Sequence, residues 1–189
     1  MYSRSNENSS SELCDRIGEV FRGLGFAGAS IASVAESAGL SKASLYHHFP
    51  DGKLQMANRV VDRAVSLADA TVFAPLRSSE PGLKRLDAML DGYLAYTDFG
   101  KRPCLLVVLG QSAPEPIRAR IRDQLRTWQL LVESTLCELR QVKPKRAARL
   151  AEDTLCGLCG GTLMAGLLGD PATTQRAIKR LRRVFEAHA

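Results

Sequence analysis

The residues from Ser30 to Phe49 read SIASVAESAGLSKASLYHHF, and their spacing decides the fold. Ser30 is a good N-cap for a helix that begins at Ile31. Ile31, Val34, Ala35 and Ala38 recur on one helical face, and Ala35 is small where two helices must cross closely. Gly39 stands at the C′ position, where a left-handed backbone costs glycine little. Leu40 fills the turn, and Ser41 can cap a second helix. Leu45 and Phe49, four apart, point inward. Lys42, Ala43, Ser44, Tyr46, His47 and His48 then remain on or near the open side. Two short helices are predicted, near 31–38 and 42–48, in a helix-turn-helix arrangement. The second helix of such a pair enters the DNA major groove.

Each exposed residue type suits that task. Lys42 can donate to guanine O6/N7. Ser44 can bond to a base or a phosphate, and Ala43 permits close approach. Tyr46, His48 and Lys53 suit phosphates, which position without specifying. With Ser30, Ser41 and His47 they form the expected DNA-facing set. A helical hairpin with merely solvated polar residues is the alternative. YHHF argues against it, because an exposed aromatic beside two His residues is a poor solvated face. A His47–His48 metal pair is not expected, since adjacent helical residues do not share a face.

The 189 residues, 45% hydrophobic, suffice for one large or two smaller cores. No apolar run approaches the roughly 20 residues that span a bilayer, and MYSRSNENSSSE has no signal-peptide apolar region, so a cytoplasmic protein is expected with no membrane partner. Five unevenly spaced cysteines fit no secreted disulfide framework. The formal charge of +6 is unevenly placed: residues 1–60 hold six basic and six acidic side chains, whereas 61–189 hold 20 basic and 14 acidic ones.

The periodicity predicts helix almost throughout. Leu13, Ile17, Val20, Phe21 and Leu24 mark the first helix, with Ser9–Ser11 available as its cap and Gly25 as its stop. After PDGK, the stripe Leu54, Ala57, Val61, Val65, Ala68 and Val72 marks the fourth. Leu83, Leu86, Leu90, Tyr93 and Thr97 mark the next. CLLVVLG is expected to be a short buried helix, because a lone strand would have no partner. Ile117 to Leu139, Arg146 to Leu168, and a segment with Ile178, Leu181 and Phe185 inward complete the chain.

The segment GFAGASIASVAESAGLSKASLYHHFPDGKLQM resembles the N-terminal signature of the TetR family of transcriptional regulators. The form FPDGK is similar to a multidrug-responsive subgroup. The resemblance implies an all-α homodimer. A three-helix DNA-binding domain (1–50) would meet double-stranded operator DNA. A helical ligand-binding and dimerisation domain (51–189) would answer a small-molecule inducer, and its last two helices would form a four-helix interface. Two positions depart from the family pattern: Ala32 stands where many members carry a basic residue, and Arg4 is the only basic residue of the N-terminal arm.

CGLC, Cys156–Cys159, lacks the βαβ context of a redox enzyme and the paired spacing of a zinc site, and reads better as close helix packing. Cys104 follows Lys101, Arg102 and Pro103, a setting that favours a thiolate, so a thiol-sensing repressor is the alternative function and a CxxC enzyme a weaker one. QRAIKRLRR reads as an amphipathic helix with a solvated basic face. Tyr93, Tyr96, Phe99 and Trp128, with Leu106, Val107, Leu131 and Met164, suit either a core or an apolar cavity. The expected ligand set is Leu90, Tyr93, Tyr96, Cys104, Val107, Trp128, Leu131 and Leu158, with an apolar or aromatic inducer. No catalytic residue, metal site or cofactor is expected.

Overall fold

The computed structural model describes residues 3–189, with side chains from residue 11 onward. All regular elements among the described residues are helical. They are α1 (Ser3–Gly28), α2 (Ile31–Ala38), α3 (Lys42–His48), α4 (Gly52–Ala68), a π-helical turn (Asp69–Phe73), the single turn α5 (Ala74–Leu76), α6 (Gly82–Tyr96), a 3-10 turn (Asp98–Gly100), α7 (Leu105–Ser112), α8 (Glu115–Leu136), α9 (Pro144–Leu168) and α10 (Ala172–Glu186). CLLVVLG is helical from Leu105 onward, as the missing strand partner required.

The chain forms two compact units: 1–66 with 105–121, and 67–104 with 122–189. In the first, Ile17 and Phe21 of α1, Val34 and Ala35 of α2, Leu45 of α3 and Met56, Val60 and Val61 of α4 are buried. Leu105, Leu106 and Leu109 of α7 are buried in the same unit. Leu105 reaches Gly18, where an added Cβ would stand 3.4 Å from Leu105 Cδ2. Arg63 pairs with Asp15, and Arg120 with Asn58 and Asp62.

The second unit is built around Tyr93, Trp128, Val132, Leu158 and Phe185. The π-helical turn inserts one extra residue per turn. It carries Val72 and Phe73 inward, and Phe73 reaches the Trp128 ring at 5.9 Å between centroids. Arg182 bridges Asp87 and Asp91, and Arg85 joins Glu138 to the Leu76 carbonyl.

Several local expectations change. Helix α1 begins upstream at Ser3, so Ser9–Ser11 lie inside it. The inward face of α4 holds Met56, Val60 and Ala64, and Leu54 is 44% exposed. Phe99 and Met164, expected in the body's interior, are exposed. Asp98 and Phe99 have positive φ, and Phe99 is 55% exposed. Met164 falls on the face of α9 that carries exposed Leu167 and Leu168.

Candidate nucleic-acid interface

The helix pair is fixed by short-range capping. Ser30 Oγ accepts from Ser33 N at 3.0 Å, and Ser33 Oγ accepts from Ser30 N at 3.0 Å, a reciprocal capping box. Gly39 takes φ 67°, and Leu40 N donates to Ala35 O at 2.9 Å. From α1, Arg16 donates to the Ala38 carbonyl at 3.2 Å, covering one carbonyl at the end of α2. Ser41 Oγ accepts from Ser44 N at 3.1 Å and so starts α3.

Helix α3 has one buried residue, Leu45, and Phe49 is buried just past its end. Lys42, Ala43, Tyr46, His47 and His48 are exposed and Ser44 half-buried. The inward pair i, i+4 therefore leaves a polar outer face of the length a groove accepts. Ser30 and Ser41 are exposed too, with their oxygens occupied as caps. Ala32 is exposed, and the Arg4 side chain lies outside the described residues.

Lys53 has a different setting from the one its sequence position implied. Its ammonium donates to Phe26 O and Ala29 O, each at 2.9 Å, and lies 4.6 Å from the centroid of the Phe26 ring. Two of its three N–H bonds thus close the corner between α1 and α2. The signal in the sequence was Lys53 opposite the Gly-Phe at the end of the first helix, but no periodicity links residues 27 apart.

Residues 15–60 match the sequence profile described as "Bacterial regulatory proteins, tetR family". The matched segment, which holds the helix pair, is a TetR-type DNA-binding region. An uncharacterized HTH-type transcriptional regulator of Mycobacterium tuberculosis is 28% identical over 170 residues, covering 84% of each chain. The fold is similar to that of a TetR-family regulator from Streptomyces coelicolor (TM-score 0.78, 18% identity, 96% of each chain). It is also similar to a TetR regulator from Chloroflexus aurantiacus (TM-score 0.76, 20% identity, 95% of each chain). The protein thus carries a TetR-type helix-turn-helix on a fold shared with regulators of that family.

Of the ligand residues named from sequence, Leu90, Tyr93, Trp128 and Leu158 lie together in the core of the second unit, with Tyr96 and Leu131 packed against them. Val107 sits on α7, in the first unit. Tyr93 stacks on Trp128 at 5.5 Å, and its hydroxyl meets Leu158 O at 3.2 Å and Thr162 Oγ1 at 3.1 Å. Burial raises the Tyr93 phenol well above its ordinary value. Trp128 is 3% exposed, and its indole N–H is buried without a hydrogen-bond partner. A buried donor left unmade costs about 1–3 kcal/mol.

Cys104 is 4% exposed, immediately before α7. Cys156 is exposed, and Cys159 is half-buried. Burial, reinforced by Cys104, pushes the Cys159 thiol far above its ordinary range.

Proposed function

We propose that this regulator is a homodimeric, ligand-responsive repressor that works in the cytoplasm. Each subunit presents Lys42 to His48 to one operator half-site, and Lys42 reads bases while Tyr46 and His48 meet phosphates. Two recognition helices about 34 Å apart would meet successive major grooves. The division of labour runs at residue 50: DNA binding before it, ligand binding and dimerisation after it.

One observation supports the ligand half of this reading. The Trp128 indole N–H is buried without an acceptor, beside the stacked Tyr93 ring and Phe73. The inducer is therefore a flat apolar or aromatic molecule carrying a hydrogen-bond acceptor. Binding near Leu90, Tyr93, Tyr96, Trp128, Leu131 and Leu158 gains chiefly from apolar burial. The test is release of a fluorescent operator duplex by a panel of hydrophobic compounds, half of them bearing a carbonyl or ether oxygen. Acceptor-bearing aromatics should release the wild-type protein at concentrations at least about tenfold below those needed for Trp128→Ala. Cys104→Ser should respond like the wild type. Release only by small, multiply charged metabolites would overturn the pocket, and loss of induction in Cys104→Ser would favour the thiol switch.

Support for the dimer comes from α9. Gly160 and Gly166 have no atom within 4 Å of a built Cβ, and Leu167 and Leu168 are 81% and 63% exposed. An exposed apolar stripe of this kind is a mark of an interface. Leu167→Glu, and Gly160→Trp independently, should each weaken association by about 2 kcal/mol or more, converting a micromolar sample from dimer to monomer in light scattering. A wild-type protein that is monomeric at that concentration would remove the two-half-site reading.

A further inference from the structure

The corner that leads into the helix pair is built by a residue far away in sequence. Gly25 takes φ 65° and ψ 177°, a backbone region open almost only to glycine, and this breaks α1. The Phe26 amide, next in line, loses its helical acceptor at that break. It donates to Ser112 Oγ at 2.8 Å, and Ser112 is the last residue of α7.

Both sides of that hydroxyl are used. Its hydrogen points to the Val108 carbonyl at 3.5 Å, one turn back along α7, so a lone pair is left for Phe26. The approach is tight: a Cβ on Gly25 would stand 3.0 Å from Ser112 Oγ. Glycine is thus required at 25 twice, for its backbone and for the space Ser112 occupies. Across the corner, Lys53 of α4 holds Phe26 O and Ala29 O. Phe26 itself stacks on Phe21 at 6.0 Å. The strand of chain from Gly25 to Ala29 therefore takes its geometry from α7 and α4, not from continuation of α1. Ser30 follows at once and caps α2, and α2 packs on α3.

We propose that Ser112 is a positioning residue for base readout: by holding the Phe26 amide it fixes where α2 starts, and so how α3 is presented to the groove. The chemistry separates this from simple structural support. Phosphate attraction tolerates small misplacements, whereas bidentate contacts to base edges do not. Loss of the hydroxyl should therefore cost specific affinity more than general affinity. The proposal rests on the family's helix-turn-helix mode of DNA binding and is independent of any inducer.

The test uses full-length protein and two duplexes of equal length: one the wild type selects from random-sequence DNA, and one it does not enrich. Ser112→Ala should bind the selected duplex about tenfold more weakly. Binding to the other duplex, and its salt dependence, should stay within about twofold. Hydrogen exchange at the Phe26 amide should quicken at least about tenfold, while the Leu45 amide in α3 keeps its protection. Ser112→Thr, which retains a hydroxyl, should restore both the selected-duplex affinity and the Phe26 protection. Equal loss on both duplexes, or joint loss of Phe26 and Leu45 protection, would make Ser112 a plain stability residue and overturn the proposal. So would a Ser112→Ala protein within twofold of wild type on the selected duplex, or a Thr variant as weak as the Ala one.

Discussion

Gly92→Ala is expected to destabilise the protein by about 3 kcal/mol or more, lowering the melting midpoint by roughly 6–12 °C at matched protein concentration. Gly92 lies in α6, against the π-helical turn. A Cβ there would overlap the Thr71 carbonyl oxygen and come within 2.7 Å of the Thr71 carbonyl carbon. These are backbone atoms, which cannot swing aside as a side-chain tip can. To admit the methyl, the turn must move away from α6, and the next two residues, Val72 and Phe73, are buried in the core with Trp128. Small-to-large changes in cores usually cost about 1–3 kcal/mol, and a backbone collision belongs at the top of that range or beyond. Gly23→Ala is the control. It has no atom within 4 Å of a built Cβ and lies in α1, so it should stabilise by up to about 1 kcal/mol. Thermal or urea melts that shift the two variants in the same direction would refute the close-approach account.

Lys42→Ala should lower affinity for the selected operator by about 1–3 kcal/mol, roughly 5- to 150-fold, and relax base preference at one position. Lys42 is exposed at the first position of α3, where N-terminal residues of a recognition helix reach base edges. Lys53→Met makes the contrast. It keeps the apolar stem and removes the donors that hold Phe26 O and Ala29 O. Its effect should appear in melting curves, about 1–2 kcal/mol for the lost charged hydrogen bonds, together with weaker operator binding. A Lys53→Met protein of unchanged stability that binds every duplex equally less well would return Lys53 to the phosphate role its sequence position suggested. Base preference unchanged in Lys42→Ala would remove Lys42 from readout.

The helix-turn-helix was legible because its determinants are local. Ser30, Gly39 and Ser41 act on backbone groups three to five residues away. Leu45 and Phe49 mark the inward side by spacing alone. The aromatic cluster was partly legible: Leu90, Tyr93, Trp128 and Leu158 meet in one core. Apolar character favours burial without naming the partner, and it does not guarantee burial: Leu54 and Phe99 are hydrophobic and yet exposed.

The sequence by itself determined the all-helical architecture, the bounds of α2 and α3, and the polar face that α3 presents. Capping bonds and i, i+4 spacing act within one or two turns, so they are written in adjacent letters. Tertiary structure alone decided where Lys53 donates, what receives the Phe26 amide, and why position 92 admits only glycine. Those contacts join residues up to 86 apart in the chain, and the approach of Gly92 to Thr71 depends on a π-helical turn. They are set by how whole helices pack, where small shifts decide which backbone groups meet, and no local period encodes that distance.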